Sequence, residues 1–212
     1  MIKVKKAEHH KKLLREVILF MIRNKERRDA IINGYADFNY NFTNILAKYY
    51  NANDYCRISV EAYKKLEKAG IMIPSSVKES KFSRQTFRGS AKASKPHTTA
   101  LQKVKGEFMF DHNPPVNIIR KEILEINKEK FDNKKTIKIL EKFNDCVFML
   151  TRDENKILNK TTTIIDNKKV SLNSNMPSEW KWEHKNADIR YNKCNIKITD
   201  KKIYFNSNKI PR

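Results

Sequence analysis

Phe108-Met109-Phe110-Asp111-His112-Asn113-Pro114-Pro115-Val116 is the stretch on which the fold turns. Apolar residues run into an acid–histidine pair, and two prolines follow. Residues 107–110 read as a short strand, and Pro114 and Pro115, which cannot donate ladder hydrogen bonds, force the chain out of the sheet. From Val116 onward, Val116, Ile119, Ile123 and Ile126 fall on one face and predict a helix. A shorter helix over Thr136–Phe143 follows. Cys146–Leu150 is a continuous apolar run, which reads as a buried strand. Directly after it, Thr151-Arg152-Asp153-Glu154 is a T-x-x-E capping box that starts a helix at Thr151.

An Asp-His pair leaving a strand, an Asn on a later strand or loop, and an Asn early in the following helix resemble the HNH, or His-Me finger, endonucleases. The resemblance covers residues 107–160. It implies a strand–strand–helix (ββα-metal) core holding one divalent ion, Mg²⁺ or Mn²⁺. Asp111 and Asn155 would be the metal ligands and His112 the general base. Asn144, or in second place Asn113, would hold the His112 ring. The chemistry is coherent: carboxylate and amide oxygens suit a hard cation, a neutral imidazole titrating near pH 7 can take a proton from water, and a metal offsets charge developing on a phosphate. Arg152, Lys156 and Lys160 lie close by in sequence and would hold the phosphate backbone. Two features depart from the family. Two predicted helices stand where members often have a short loop, and the cysteine pairs that staple many members are absent. Asp111-His112-Asn113 also reads as a turn cap before a proline-started helix, because Asp and Asn do that work routinely.

Charge points to the same class of partner. The chain has 212 residues, with 45 Lys+Arg against 24 Asp+Glu, a formal net charge of +21. Such a chain repels itself unless a polyanion neutralises it, so nucleic acid is the first candidate partner and an anionic membrane surface the second. A Lys-, Asn- and Ile-rich composition explains why Lys outnumbers Arg, but not the shortage of acids. The 11 Phe, 8 Tyr and 2 Trp supply enough apolar bulk for a folded core. Cys56, Cys146 and Cys194 are far apart and form no C-x-x-C pair, which excludes a zinc knuckle or a disulfide framework and fits a reduced, cytoplasmic setting. The apolar run Val17–Ile22 is too short to span a membrane.

Outward from the core, residues 1–73 read as a helical N-terminal domain. Leu13, Leu14, Val17, Ile18, Met21 and Ile22 recur at helical spacing. His9 and His10 precede them as a solvated helix start. Over residues 26–50, Ile31, Ile32, Tyr35, Phe38, Phe42, Ile45, Leu46 and Tyr49 predict a second helical stretch, with the aromatics in the core. Ser59 is expected to cap a helix over Val60–Ala69 that closes at Gly70. Residues 74–106 are a basic linker or loop. They are either a solvated connector or an arm whose Phe82, Phe87, Arg84 and Arg88 order on a phosphate backbone. His97 ends this segment without an evident partner. Residues 161–212 form a β-rich region with two expected hairpins, one turning at Asp166-Asn167 and the other at Asp200-Lys201. Arg190 lies between them as a possible phosphate contact.

The expected architecture is therefore α+β: a helical N-terminal region, a ββα-metal-like core with a helical insertion, and a small β-rich C-terminal region. The expected function is a metal-dependent endonuclease hydrolysing phosphodiester bonds in double-stranded DNA, of restriction, homing or defence type. A palindromic target would call for a homodimer. The alternative is a basic nucleic-acid-binding protein without catalysis.

Overall fold

A computed structural model describes residues 4–87, 99–183 and 188–206. In chain order its elements are α1 (Val4–Arg23), α2 (Lys25–Ile32), α3 (Ala36–Asn51), β1 (Tyr55–Ser59), α4 (Val60–Lys68), α5 (Arg84–Phe87), α6 (Thr99–Lys103), β2 (Phe108–His112), α7 (Val116–Ile126), α8 (Asn133–Lys142), β3 (Val147–Thr151), α9 (Arg152–Lys160), β4 (Thr162–Ile165), β5 (Lys168–Ser171), α10 (Ile189–Asn192) and β6 (Ile198–Tyr204). The fold is α+β, and no helix among the described residues is long and apolar enough to cross a membrane. The chain divides into two compact units, Met1–Asn53 with Pro114–Cys146, and Asp54–Asn113 with Val147–Arg212.

The first unit is helical. α1, α2 and α3 pack on one another, and α7 and α8 join them. The α7–α8 excursion that separates the two halves of the expected ββα core is thus part of a helical body, with Ile119, Ile123 and Leu140 fully buried. The helix expected over 26–50 is broken at Gly34, whose φ of 76° only glycine adopts cheaply. The break changes the role of the aromatic stripe. Phe42, Leu46 and Tyr49 are buried, whereas Tyr35 and Phe38, near the break, face solvent.

The second unit is built on a four-stranded sheet in the order β2-β3-β1-β6. β2 and β3 are antiparallel, β3 and β1 parallel, and β1 and β6 antiparallel. The boundary between units falls after Asn53 rather than near residue 73, because β1 is a central strand and carries α4 into the sheet unit with it. β1 and β3 each run straight into a capped helix. Ser59 Oγ accepts the amide of Ala62 at 3.1 Å, and Thr151 Oγ1 accepts that of Glu154 at 3.1 Å. The expected capping box is complete. Its carboxylate does more than cap, since Glu154 Oε2 also accepts the Ser59 hydroxyl at 2.7 Å and so ties the two parallel strand–helix junctions together.

The tail follows expectation in one half only. Asp166 and Asn167, at φ 50° and 61°, turn β4 into β5. Both angles are positive, as a tight two-residue hairpin requires, and Asp and Asn tolerate them. The second expected hairpin is absent. Ile198–Tyr204 is one strand on the sheet edge, and its register with β1 shifts between Arg57 and Ser59. Asp200-Lys201 sits in that irregularity: a bulge exposes the same polar pair that a turn would. The linker reading changes as well. Phe87 is fully buried, with its ring 5.3 Å from Phe82, 5.9 Å from Phe108 and 6.4 Å from Phe205. Phe87 is core and the half-buried Phe82 packs edge-on against it, so both rings are engaged within the fold.

Candidate functional site

Asp111 and His112 are consecutive residues inside β2, so their side chains leave opposite faces of the sheet. Asp111 pairs with Phe148 on β3 and shares its face. There Phe148, Leu150, Leu158, Leu172, Tyr191 and Ile196 form one buried cluster. His112 projects to the side that holds Phe108 and Phe110.

The Asp111 carboxylate is engaged by the protein itself. Arg190 Nη1 donates to Oδ2 at 2.8 Å and Nη2 to Oδ1 at 3.2 Å, while the Tyr191 hydroxyl donates to Oδ2 at 2.7 Å. Arg190 is completely buried. Its remaining hydrogen bonds go to backbone carbonyls: Nε to Leu172 at 2.6 Å, Nη1 to His112 at 2.9 Å and Nη2 to Asn173 at 3.0 Å. Five hydrogen bonds match the five N–H donors of a guanidinium. Burial, and secondarily the Asp111 charge, push the Tyr191 hydroxyl well above its usual range, so it keeps the proton it donates. Arg57 lies on the same face, 5.1 Å from the Phe148 ring centroid and 3.3 Å from Asp188.

This arrangement bears directly on an ion at Asp111. Both carboxylate oxygens already accept hydrogen bonds, and the nearest charge is a buried cation. A divalent ion there would have to displace Arg190 and leave that charge without a counter-ion. Among the described residues no cluster of three or more His, Cys, Asp or Glu side chains is placed to hold a metal. As arranged, these residues do not fit a metal held by Asp111.

The other expected site residues are distributed as follows. Asn155 is half-buried on α9, one position past the inward-facing Glu154. Asn144 belongs to the helical unit, where it is exposed and its amide oxygen accepts Lys11 Nζ. Asn113 is buried at the end of β2. Arg190 is a buried structural cation and so is not a phosphate contact. Arg84 Nη2 donates to the Tyr55 carbonyl at 3.0 Å, and its guanidinium lies over the Phe205 and Phe110 rings at 5.1 and 5.6 Å, so it too is built into the fold. Arg88 and His97 lie outside the described residues.

Arg152, Lys156 and Lys160 are the expected contacts that gather on one surface. All three are exposed on α9, spaced four residues apart, while Glu154 and Leu158 face inward. That spacing makes them one ridge along the helix. Asp153 pairs with Lys156 at 2.9 Å, but both side chains are mostly in water, so the pair holds the lysine weakly.

Sequence reasoning missed the Asp111–Arg190–Tyr191 cluster and the Ser59–Glu154 bond. A signal for the first was present. In Arg190-Tyr191-Asn192-Lys193-Cys194-Asn195-Ile196, the apolar positions 191, 194 and 196 mark a buried segment, and a basic residue beside them needs an internal counter-ion. Compared with family models, with curated proteins and with solved structures, this chain has no match.

Proposed function

We propose that this chain is a phosphodiester-cleaving endonuclease acting on double-stranded DNA in the cytoplasm, built on a ββα unit of β2, β3 and α9, with His112 as general base. One observation carries the reading. β2, which ends on His112, runs antiparallel to β3, and α9 follows β3 without a connecting residue, starting at Arg152 with Thr151 as its cap. This is the strand–strand–helix order that the resemblance implies, with the α7–α8 excursion inserted between the strands. The exposed Arg152, Lys156 and Lys160 ridge supplies phosphate contacts on the helix of that same unit. Family members use Mg²⁺ or Mn²⁺. Because Asp111 is committed to Arg190, no step here is routed through an ion. What these residues supply is phosphate binding along α9, which packs Leu158 on the Asp111 face of the sheet, and, on the opposite face, the His112 imidazole as the proposed acceptor of the attacking water's proton.

A second reading is favoured by the same Asp111–Arg190 pair: a nucleic-acid-binding protein without catalysis, held by phosphate contacts alone. Nicking and cleavage of supercoiled plasmid, linear duplex and single-stranded DNA in Mg²⁺, in Mn²⁺ and in EDTA separate the two, with wild type set against His112→Ala. Cleavage lost in His112→Ala supports the nuclease. No cleavage of any substrate by the wild type overturns it, and salt-sensitive binding without cleavage then supports the second reading.

A further inference from the structure

α1 has two apolar faces, and among the described residues one is buried and the other exposed. Ile18, Leu19 and Ile22 are buried against the helical unit at 0, 3 and 0 % exposure. On the other side Leu13, Val17 and Phe20 stand out at 51, 42 and 60 %. His10, Leu13, Val17, Phe20 and Asn24 follow one another at steps of three, four, three and four, which is the a/d spacing of a helix–helix seam. An amphipathic surface helix needs one apolar stripe facing its core and a polar opposite face. Within the described residues the second stripe stands in solvent, with the Arg27 guanidinium lying 3.7 Å over the Phe20 ring.

We infer that this outer seam is a homodimer contact, occupied by the same seam of a second copy running antiparallel. The charges beside it select that occupant. Glu16 and Arg23 lie seven residues apart on the same flank, are opposite in sign, and are both exposed; Arg23 lies 5.8 Å from the Phe131 ring centroid. When two such helices cross antiparallel about a two-fold axis between Val17 and Phe20, Glu16 of each copy faces Arg23 of the other, so the pair forms twice. A nucleic acid finds no hydrogen-bond donors among Leu13, Val17 and Phe20, whereas a second apolar helix covers them. Three apolar side chains fall short of the roughly 800 Å² per partner of a standard interface, so the dimer is weak, with a Kd on the order of tens of micromolar.

Sedimentation velocity of the full chain from about 1 to about 200 µM tests this over the range where a weak dimer dissociates. A concentration-dependent shift from monomer to dimer is expected. Val17→Glu should abolish it, with the circular dichroism of the folded chain unchanged because Val17 is exposed. Glu16→Arg should weaken association about tenfold, as loss of two ion pairs of modest strength predicts. The swap Glu16→Arg with Arg23→Glu should restore it. A monomer at every concentration overturns the inference. So does a dimer indifferent to Val17→Glu, or a double swap that fails to recover what the single reversal lost.

Discussion

Replacing Asp111 with Asn tests the assignment of this residue as a counter-ion. The variant keeps the size of the side chain and removes its charge. It leaves Arg190, which is completely buried, facing an amide that offers one acceptor oxygen and an NH₂ group. Removing one partner of a buried ion pair costs about 3–5 kcal/mol, because the other charge is left uncompensated. The Asp111 side chain retains 13 % exposure, which admits some water, so about 3 kcal/mol is expected. Arg190→Met should cost at least as much, because the Leu172, His112 and Asn173 carbonyls lose their donors, each worth about 1 kcal/mol or more when buried. The double variant should cost about 2 kcal/mol less than the sum of the two single changes, the signature of a direct pair. The assay is urea unfolding followed by tryptophan fluorescence. Trp180 and Trp182 are the only tryptophans and both lie in the sheet unit, so the signal reports that unit. Mn²⁺ binding measured by calorimetry on the same proteins completes the test and should be indifferent to Asp111→Asn. A change below about 1 kcal/mol with no coupling in the cycle would mean that Asp111 is not the counter-ion of Arg190, and loss of Mn²⁺ binding with stability intact would return Asp111 to the role of metal ligand.

Other consequences follow from the same geometry. Thr151→Ala removes the cap of α9 and should cost about 1–2 kcal/mol; Glu154→Ala should cost more, because it also strips the acceptor from the Ser59 hydroxyl and the Thr151 amide, and urea midpoints rank the two. Neutralising Arg152, Lys156 and Lys160 to Gln together should weaken duplex DNA binding equally across sequences. It should also lower the slope of log K against log salt by about 0.9 for each phosphate no longer neutralised, a salt titration by fluorescence anisotropy being the check. Burial pushes the Cys56 thiol up to about 12 and raises the Tyr50 and Tyr191 hydroxyls well above their usual range. The folded chain therefore holds these protons after the unfolded chain, with thiols near 8.5 and phenols near 10, has released them. The stability they contribute is full below those values and falls as pH rises toward about 12, so urea midpoints should drop between about pH 8 and pH 11. Cys56, Cys146 and Cys194 are all buried, so a thiol reagent at pH 8 should label none of them until denaturant is added.

What the residues determined by themselves is local. Short-range rules governed by backbone sterics and side-chain reach set the apolar run of β3, the capping box at Thr151, the exit of β2 at Pro114-Pro115, the hairpin at Asp166-Asn167 and the apolar face of α7. Each is complete within a few residues, and each stands in the folded chain. Pairing across long separations was not legible. Nothing near Asp200-Lys201 distinguishes a turn from a bulge, because both expose two polar residues, and only the register with β1 decides between them. The break at Gly34 likewise left the aromatic stripe with two fates that periodicity alone could not separate.

The candidate site shows the same division. Its strand–strand–helix order could be read from the chain, and so could the ridge of Arg152, Lys156 and Lys160, because four-residue spacing on a helix fixes a common face. The role of Asp111 could not. An aspartate beside a histidine looks the same whether its oxygens await an ion or already hold a guanidinium. The residue that decides it, Arg190, is 79 positions away and was brought to the carboxylate by folding. A buried charge must find its partner wherever the chain supplies one. Tertiary structure therefore decided that Asp111 and Arg190 belong to each other, while the sequence alone offered them as two separate contacts for ligands from outside.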